Sequence, residues 1–146
     1  MKTCLALTLT LAAAAIAAET KVQMKDLPAA VQTAVQAQTA GAQIKGISKE
    51  TEKGKTIYEA ETMLNGKSRD ISFDVTGSVI EIEEQTALDS IPPAAKAAIE
   101  KKAMGGQIKT VETVTKGSTI VYEASYTKGG RSHEFQVRAD GSDVKD

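Results

Sequence analysis

The sequence predicts an α+β fold in which one small unit, a helix followed by a four-stranded antiparallel sheet, is written twice in tandem with the helix packed on one sheet face. Three observations carry this. A shift of about 64 residues superimposes the chain on itself, with about 15 of 56 aligned positions identical and no gap. Each copy opens on an apolar stripe of helical period that stops at glycine. Behind each glycine the period changes to two, broken by hairpin signals at short intervals.

Before the first unit lies a different kind of segment. Lys2 precedes an apolar run from Leu5 to Ala18, which ends in Ala15, Ala17 and Ala18 just ahead of Glu19. A cation, an apolar run and small residues in that order mark a secretory signal peptide, assigned to residues 1–18. The run is too short to span a bilayer. Cys4 stands near its start, whereas a lipid-bearing cysteine follows the apolar run. The expected product is periplasmic or secreted. It has about 128 residues, enough for a modest core, and no cysteine, so packing alone must hold it and thiolate chemistry is excluded. A net charge of −1 with both signs interspersed points away from nucleic acid and from anionic membranes, and no further apolar run could span a membrane. The remaining chain divides into an N-terminal segment (19–25), unit 1 (26–84), a linker (85–90) and unit 2 (91–146).

In unit 1, Asp26 or a neighbour is placed to cap the helix. Pro28 suits an early helical position, where its missing N–H costs nothing. Leu27, Val31, Ala34 and Val35 form the apolar stripe, repeated in unit 2 as Ile91, Ala95, Ala98 and Ile99. Gly41 and Gly105-Gly106 end the two helices. Strands are expected near 44–52, 55–64, 67–75 and 78–84, then near 108–116, 119–127, 131–139 and 142–145. Asn65-Gly66 and Gly129-Gly130 suit type I′ turns, which need positive φ at both central residues. Ile71, Phe73 and Val75 alternate with Asp70, Ser72 and Asp74, so one sheet face takes the helix and the other is wet.

The same residues carry a resemblance. Ile44, Ile47, Tyr58, Glu59, Gly66, Phe73, Asp74 and Gly77, followed by Ile108, Val111, Tyr122, Glu123, Gly130 and Gly141, resemble the pattern of the PepSY-like modules, including those called β-lactamase-inhibitor-like. The resemblance covers nearly all of the mature chain. Unit 2 departs from it where Arg138 stands in the place of Asp74 and Asp140 lies next to Gly141. It implies an exported, non-enzymatic module of the kind found in peptidase propeptides and in proteins that restrain extracellular enzymes by a sheet surface. The implied partner is an exported protein such as a peptidase or other hydrolase, with no cofactor.

No catalytic constellation accompanies this. His133, the sole histidine, shares a phase with Phe135 and Val137 and reads as a partly buried core residue; alone it forms neither a triad nor a zinc site. Glu81, Glu83 and Glu84 read as a charged linker or edge strand, with no calcium-loop spacing around them. Tyr58 and Tyr122 occupy equivalent positions and suit a core role, whereas Tyr126 has no counterpart and is a candidate contact. The candidate partner-binding face comprises Glu59, Glu61, Asp70, Asp74, Tyr126 and Arg138, with Ser72, Glu123, Ser125 and Gln136 beside them. A solvated polar face explains its carboxylates more simply, since outward carboxylates are the default for a one-sided sheet. Two classes stay open: a binding module, such as an inhibitor of an exported hydrolase, and a protein binding a small ligand or metal in the cleft between units.

Overall fold

Eight antiparallel strands run in simple sequence order across one sheet, and two helices lie on one of its sides. The computed structural model describes residues 19–145, so the assigned signal segment 1–18 and Cys4 lie outside the described residues. The strands are β1 (Thr20–Lys21), β2 (Gln43–Glu52), β3 (Lys55–Leu64), β4 (Lys67–Asp74), β5 (Val79–Gln85), β6 (Gln107–Lys116), β7 (Thr119–Lys128) and β8 (Arg131–Val137). The helices are α1 (Ala29–Gln38) and α2 (Pro93–Lys102), each preceded by a 3-10 turn, Met24–Asp26 and Leu88–Ser90.

The offset read in the sequence returns in these bounds. From Gln43 to Gln107, where β2 and β6 begin, is 64 residues, as it is from Lys55 to Thr119 and from Lys67 to Arg131. β2 and β6 carry a β-bulge at matching places, Ile44/Gly46 and Ile108/Thr110. Each helix seals its own core. Leu27, Val31 and Val35 pack with Ile47, Tyr58, Ala60, Ile71 and Phe73; Ile91, Ala95 and Ile99 pack with Val111, Ala124 and Val137. Both helices seat on a glycine. A Cβ on Gly77 would lie 2.6 Å from the Ala30 carbonyl oxygen, and one on Gly141 2.7 Å from that of Ala94, so only a bare Cα lets these turns approach the helix backbone.

The sheets of the two repeats, whose joining the alternation leaves open, merge: β5 pairs with β6 through Ile82↔Thr115, Glu83↔Val114, Glu84↔Thr113 and Gln85↔Glu112, giving one sheet. β5 is therefore an interior strand, neither linker nor edge, and Gln85 belongs to it. The segment 142–145 forms only the single bridge Val137↔Asp143 instead of a strand, while Thr20–Lys21 adds a short strand at the opposite edge. Helix capping differs as well. Pro28 and Pro92 are the N-cap residues, without side-chain caps, and Asp26 ends the 3-10 turn instead. The Asn65-Gly66 turn takes φ of 52° and 80°, and Gly129-Gly130 takes 58° and 75°, as type I′ geometry requires.

Candidate functional site

Cross-strand partners share a face, so the register assigns every strand residue to the helix side or the open side. Tyr58, Ala60, Thr62, Ile71 and Phe73 define the helix side. Their neighbours Glu59, Glu61, Asp70 and Ser72 are on the open side. Glu61 faces Asp70, which faces Glu83 on β5; Ser72 faces Glu81. Beyond the β5–β6 seam, Gln85 faces Glu112, Glu112 faces Glu123, and Glu123 faces Gln136, with Glu134 opposite Ser125. Every strand from β3 to β8 thus contributes at least one carboxylate to the open side.

Cations are scarce there. Lys21, Lys55, Lys109 and Lys116 share this side; Lys116 is held by Glu81 at 3.0 Å, and Lys109 donates to Gln107 at 2.6 Å. The helix side instead receives Lys49, Arg69, Lys128 and Arg131 from the strands and Lys96, Lys101 and Lys102 from α2. A chain of net charge −1 therefore carries its charges segregated by face, which the interspersed order along the sequence conceals.

The acidic side is also partly dry. Val114 is fully buried and Val121 nearly so, yet they pair with each other and with Glu83 on the open side and belong to neither helical core. As lateral neighbours on the same side they displace water from beside Glu83. Carboxylate oxygens of Glu83, Glu112 and Glu123 lie within 4.8 Å of one another. Burial first, then a hydrogen bond with Glu81 and the charges of Glu123, Glu81 and Glu112, pushes Glu83 up to about 8. Burial, then the charge of Asp70, raises Glu59 to about 7. Burial also raises Asp70, Glu112 and Glu123, against hydrogen bonds from the Thr62 N–H, the Ser68 hydroxyl and the Gln136 amide. Such a cluster cannot ionise fully near neutral pH and gains from any cation that neutralises it.

Of the residues singled out from sequence, Glu59, Glu61 and Asp70 stand together on the open side. Asp74, opposite Ile57, and Ser72, Glu123, Ser125 and Gln136 share that side, whereas Tyr126 does not and Arg138 lies beyond the end of β8. Asp74 is half-buried at the end of β4, where it accepts hydrogen bonds from the Thr76 N–H (2.8 Å), the Thr76 hydroxyl (2.6 Å) and the Ser78 N–H (3.0 Å). The Thr76 hydroxyl bond holds its carboxyl below the usual range. In the second half Asp140 does this work, accepting from the Ser142 N–H at 2.9 Å, while Arg138 follows β8 and donates to the Asp143 carbonyl. Tyr126 is on the helix side, paired with Ile108 and His133. His133 is exposed and stacks on Tyr126 with ring centroids 4.9 Å apart, which corrects the expected core histidine: α2 does not extend its cover to that end of β8. Tyr58 is buried in the first core, and Tyr122 packs against the second.

Glu83 and Glu112 were not singled out as face residues. Glu112 was accessible in principle, because the two-residue Gly117-Ser118 turn sets Lys116 opposite Thr119 and so Glu112 opposite Glu123. Glu83 was not, since its neighbours come from the non-local β5–β6 pairing. Among the described residues two polar cavities flank these carboxylates, the second bordered by Glu123 and Glu134. One of about 370 Å³ is bounded by Asn65, Lys67, Arg69, Glu84 and Thr113, and one of about 350 Å³ lies between Phe135, Gln136 and the tail at Asp143–Lys145. Among the described residues no helix is long and apolar enough to cross a membrane.

No protein-family model matches the sequence, and neither does any curated protein. Solved structures do match in fold. A protein of Bacteroides eggerthii, provisionally described as periplasmic, aligns with a TM-score of 0.67 at 18% identity, over 82% of this chain and 86% of its own. A DUF2874 family protein of Bacteroides ovatus gives 0.63 at 17% over 82% and 85%. A BLIP-like protein of Bacteroides fragilis gives 0.58 at 16% over 80% and 82%. The chain is thus similar in fold to DUF2874 and BLIP-like proteins across most of their length.

Proposed function

We propose that this protein is an exported, non-catalytic binding module that engages a macromolecular partner through the open side of its sheet, as an inhibitor or regulator of an envelope or secreted hydrolase. The observation that supports this reading best is the segregated charge: a side with carboxylates on six consecutive strands, left uncovered by either helix. Interfaces use such complementary potentials for steering and partner choice. The periplasmic description of one fold neighbour agrees with the compartment, and the BLIP-like description of another fits a non-catalytic binding module. The test immobilises the mature chain and an E61Q/E83Q/E123Q variant and exposes both to an envelope extract. A protein retained by the wild type, lost with the variant and weakened by salt supports the reading. A protein retained equally by both counts against it.

A second reading, a cation-binding envelope protein, draws on Glu83, Glu112 and Glu123, whose oxygens converge within 4.8 Å. Hard divalent cations take such oxygen donors. It expects a rise in melting temperature with calcium or magnesium that E112Q abolishes, through mass action on the folded state. Melting curves unmoved by either metal remove it.

A further inference from the structure

The turn that follows β4 is repeated bond for bond 64 residues later. The Asp74 N–H donates to the Ser78 carbonyl at 3.0 Å, and the Arg138 N–H to the Ser142 carbonyl at 2.8 Å. The Gly77 N–H returns to the Asp74 carbonyl at 3.0 Å, and the Gly141 N–H to the Arg138 carbonyl at 2.9 Å. The first residue pair beyond the turn is repeated too, Phe73↔Val79 as Val137↔Asp143. There the two halves part. β5 goes on along β4 through Ser72↔Glu81, Ile71↔Ile82, Asp70↔Glu83 and Arg69↔Glu84. The equivalent positions of β8 are Gln136, Phe135, Glu134 and His133. Gln136 still accepts from the Val144 N–H at 3.1 Å, but among the described residues no strand lies against the other three.

Three features of this edge describe its occupant. First, its backbone groups are turned outward. Across the two-residue turn Lys128 and Arg131 bond each other, and so, further along, do Tyr126 and His133, and Ala124 and Phe135. The alternate residues Ser132 and Glu134 therefore aim N–H and C=O away from β7, as Gln136 does toward Val144. Second, the helix side lacks a neighbour there. Ile71 is fully buried with Ile82 opposite it, whereas Phe135, in the equivalent place, packs on the second core and is still only half-buried. Third, Glu134 is exposed on the open side, and a cavity of about 350 Å³ bordered by Glu123, Glu134 and Phe135 opens beside it.

We propose that the edge of β8 takes up an extended segment of a partner protein, added antiparallel as β5 is added to β4, with an aliphatic residue opposite Phe135 followed by a lysine or arginine opposite Glu134. The aliphatic residue does for Phe135 what Ile82 does for Ile71. The cation meets Glu134 and the nearby Glu123, where a copy of Glu83 would meet like charge. Main-chain bonds to Ser132 and Glu134 supply affinity, and the two side chains supply choice. This surface is separate from the open side, so either reading can fail without the other.

The experiment titrates the full mature chain with two blocked peptides of one composition, Ile-Lys-Val-Thr and Lys-Ile-Thr-Val, and follows backbone amide signals and amide exchange by NMR. In the free chain the Ser132 and Glu134 amides should exchange freely. The first peptide should shift and protect both, and bind about tenfold tighter than the second. Glu134→Lys should reverse the preference toward Ile-Glu-Val-Thr. Ser132→Pro should abolish binding and keep the fold by circular dichroism, because the N–H it removes lies outside the β7 ladder. Glu134→Lys, at an exposed side chain, carries the test if the proline disturbs the strand. Equal affinity for the two peptides, or no shift with either at millimolar concentration, overturns the proposal. So does protection of Ser132 and Glu134 that grows with protein concentration alone, which assigns the edge to a second copy. Shifts confined to Glu61, Glu83 and Glu123 overturn it as well, since the peptide then sits on the open side.

Discussion

Replacing Glu83 by Gln should make the protein more stable at alkaline pH and leave it nearly unchanged in acid. In the fold Glu83 sits next to Val114, with Glu81, Glu112 and Glu123 nearby, and its carboxyl is raised from the ordinary 4.5 to about 8. A folded-state value above the unfolded one means that stability is fully present below the unfolded value and is lost as pH climbs through the folded value. The window therefore runs from about pH 4.5 to about pH 8. Taken whole, such a rise corresponds to about 4 to 5 kcal/mol, but Glu83 is only half-buried, and screening by water and salt reduces the expectation to about 1–2 kcal/mol. Gln cannot ionise, so E83Q escapes that loss. Urea unfolding followed by circular dichroism at about pH 5 and about pH 8.5 measures it. Near-coincident midpoints in acid and a more stable variant in base are expected. A variant less stable in base would refute the reasoning, because Glu83 would then be stabilised as an anion and the cluster would not be a site of unrelieved repulsion.

Other expectations follow from the same geometry. E59Q should show the equivalent gain over a window closing near pH 7, since Glu59 is raised to about 7. Affinity for a cationic partner should increase from about pH 6 to about pH 8.5, as bound cations favour the ionised carboxylates; an affinity flat across that range would contradict it. Gly77→Ala and Gly141→Ala should each cost about 2 kcal/mol or more in chemical denaturation, because both glycines have φ near 80° and a Cβ would collide with the helix backbone. Phe73→Ala, emptying the first core at a fully buried position, should cost about 3–5 kcal/mol in the same assay.

How much of this could be read beforehand depended on range. The hairpins at Asn65-Gly66 and Gly129-Gly130 and the stripes Leu27/Val31/Val35 and Ile91/Ala95/Ile99 are encoded in a few adjacent residues, and each is found where the pattern puts it. The joining of β5 to β6 is not local. The residues Glu81–Glu84, whose charge suggests an exposed edge, tolerate an interior strand because Glu84 turns to Arg69 at 2.9 Å while Glu81 holds Lys116. Glu59, Glu61 and Asp70 were legible as a polar face from alternation alone. Glu123 is legible in the same way and Glu112 follows from the local β6–β7 hairpin, but their meeting with Glu83 needs the seam. Tyr126 and Asp74 were drawn toward the face by their difference between the two halves. The register places Tyr126 on the helix side; Asp74 is on the open side opposite Ile57, with its oxygens held by a turn.

The central claim, that the open acidic side is the binding surface, is tested most directly by photo-cross-linking in the envelope. A photoreactive residue is placed in turn at Glu61 and Glu123 on the open side, and at Lys49 and Lys96 on the helix side. The account predicts a discrete adduct from the two open-side positions and none from the other two. Adducts confined to Lys49 and Lys96 would contradict it.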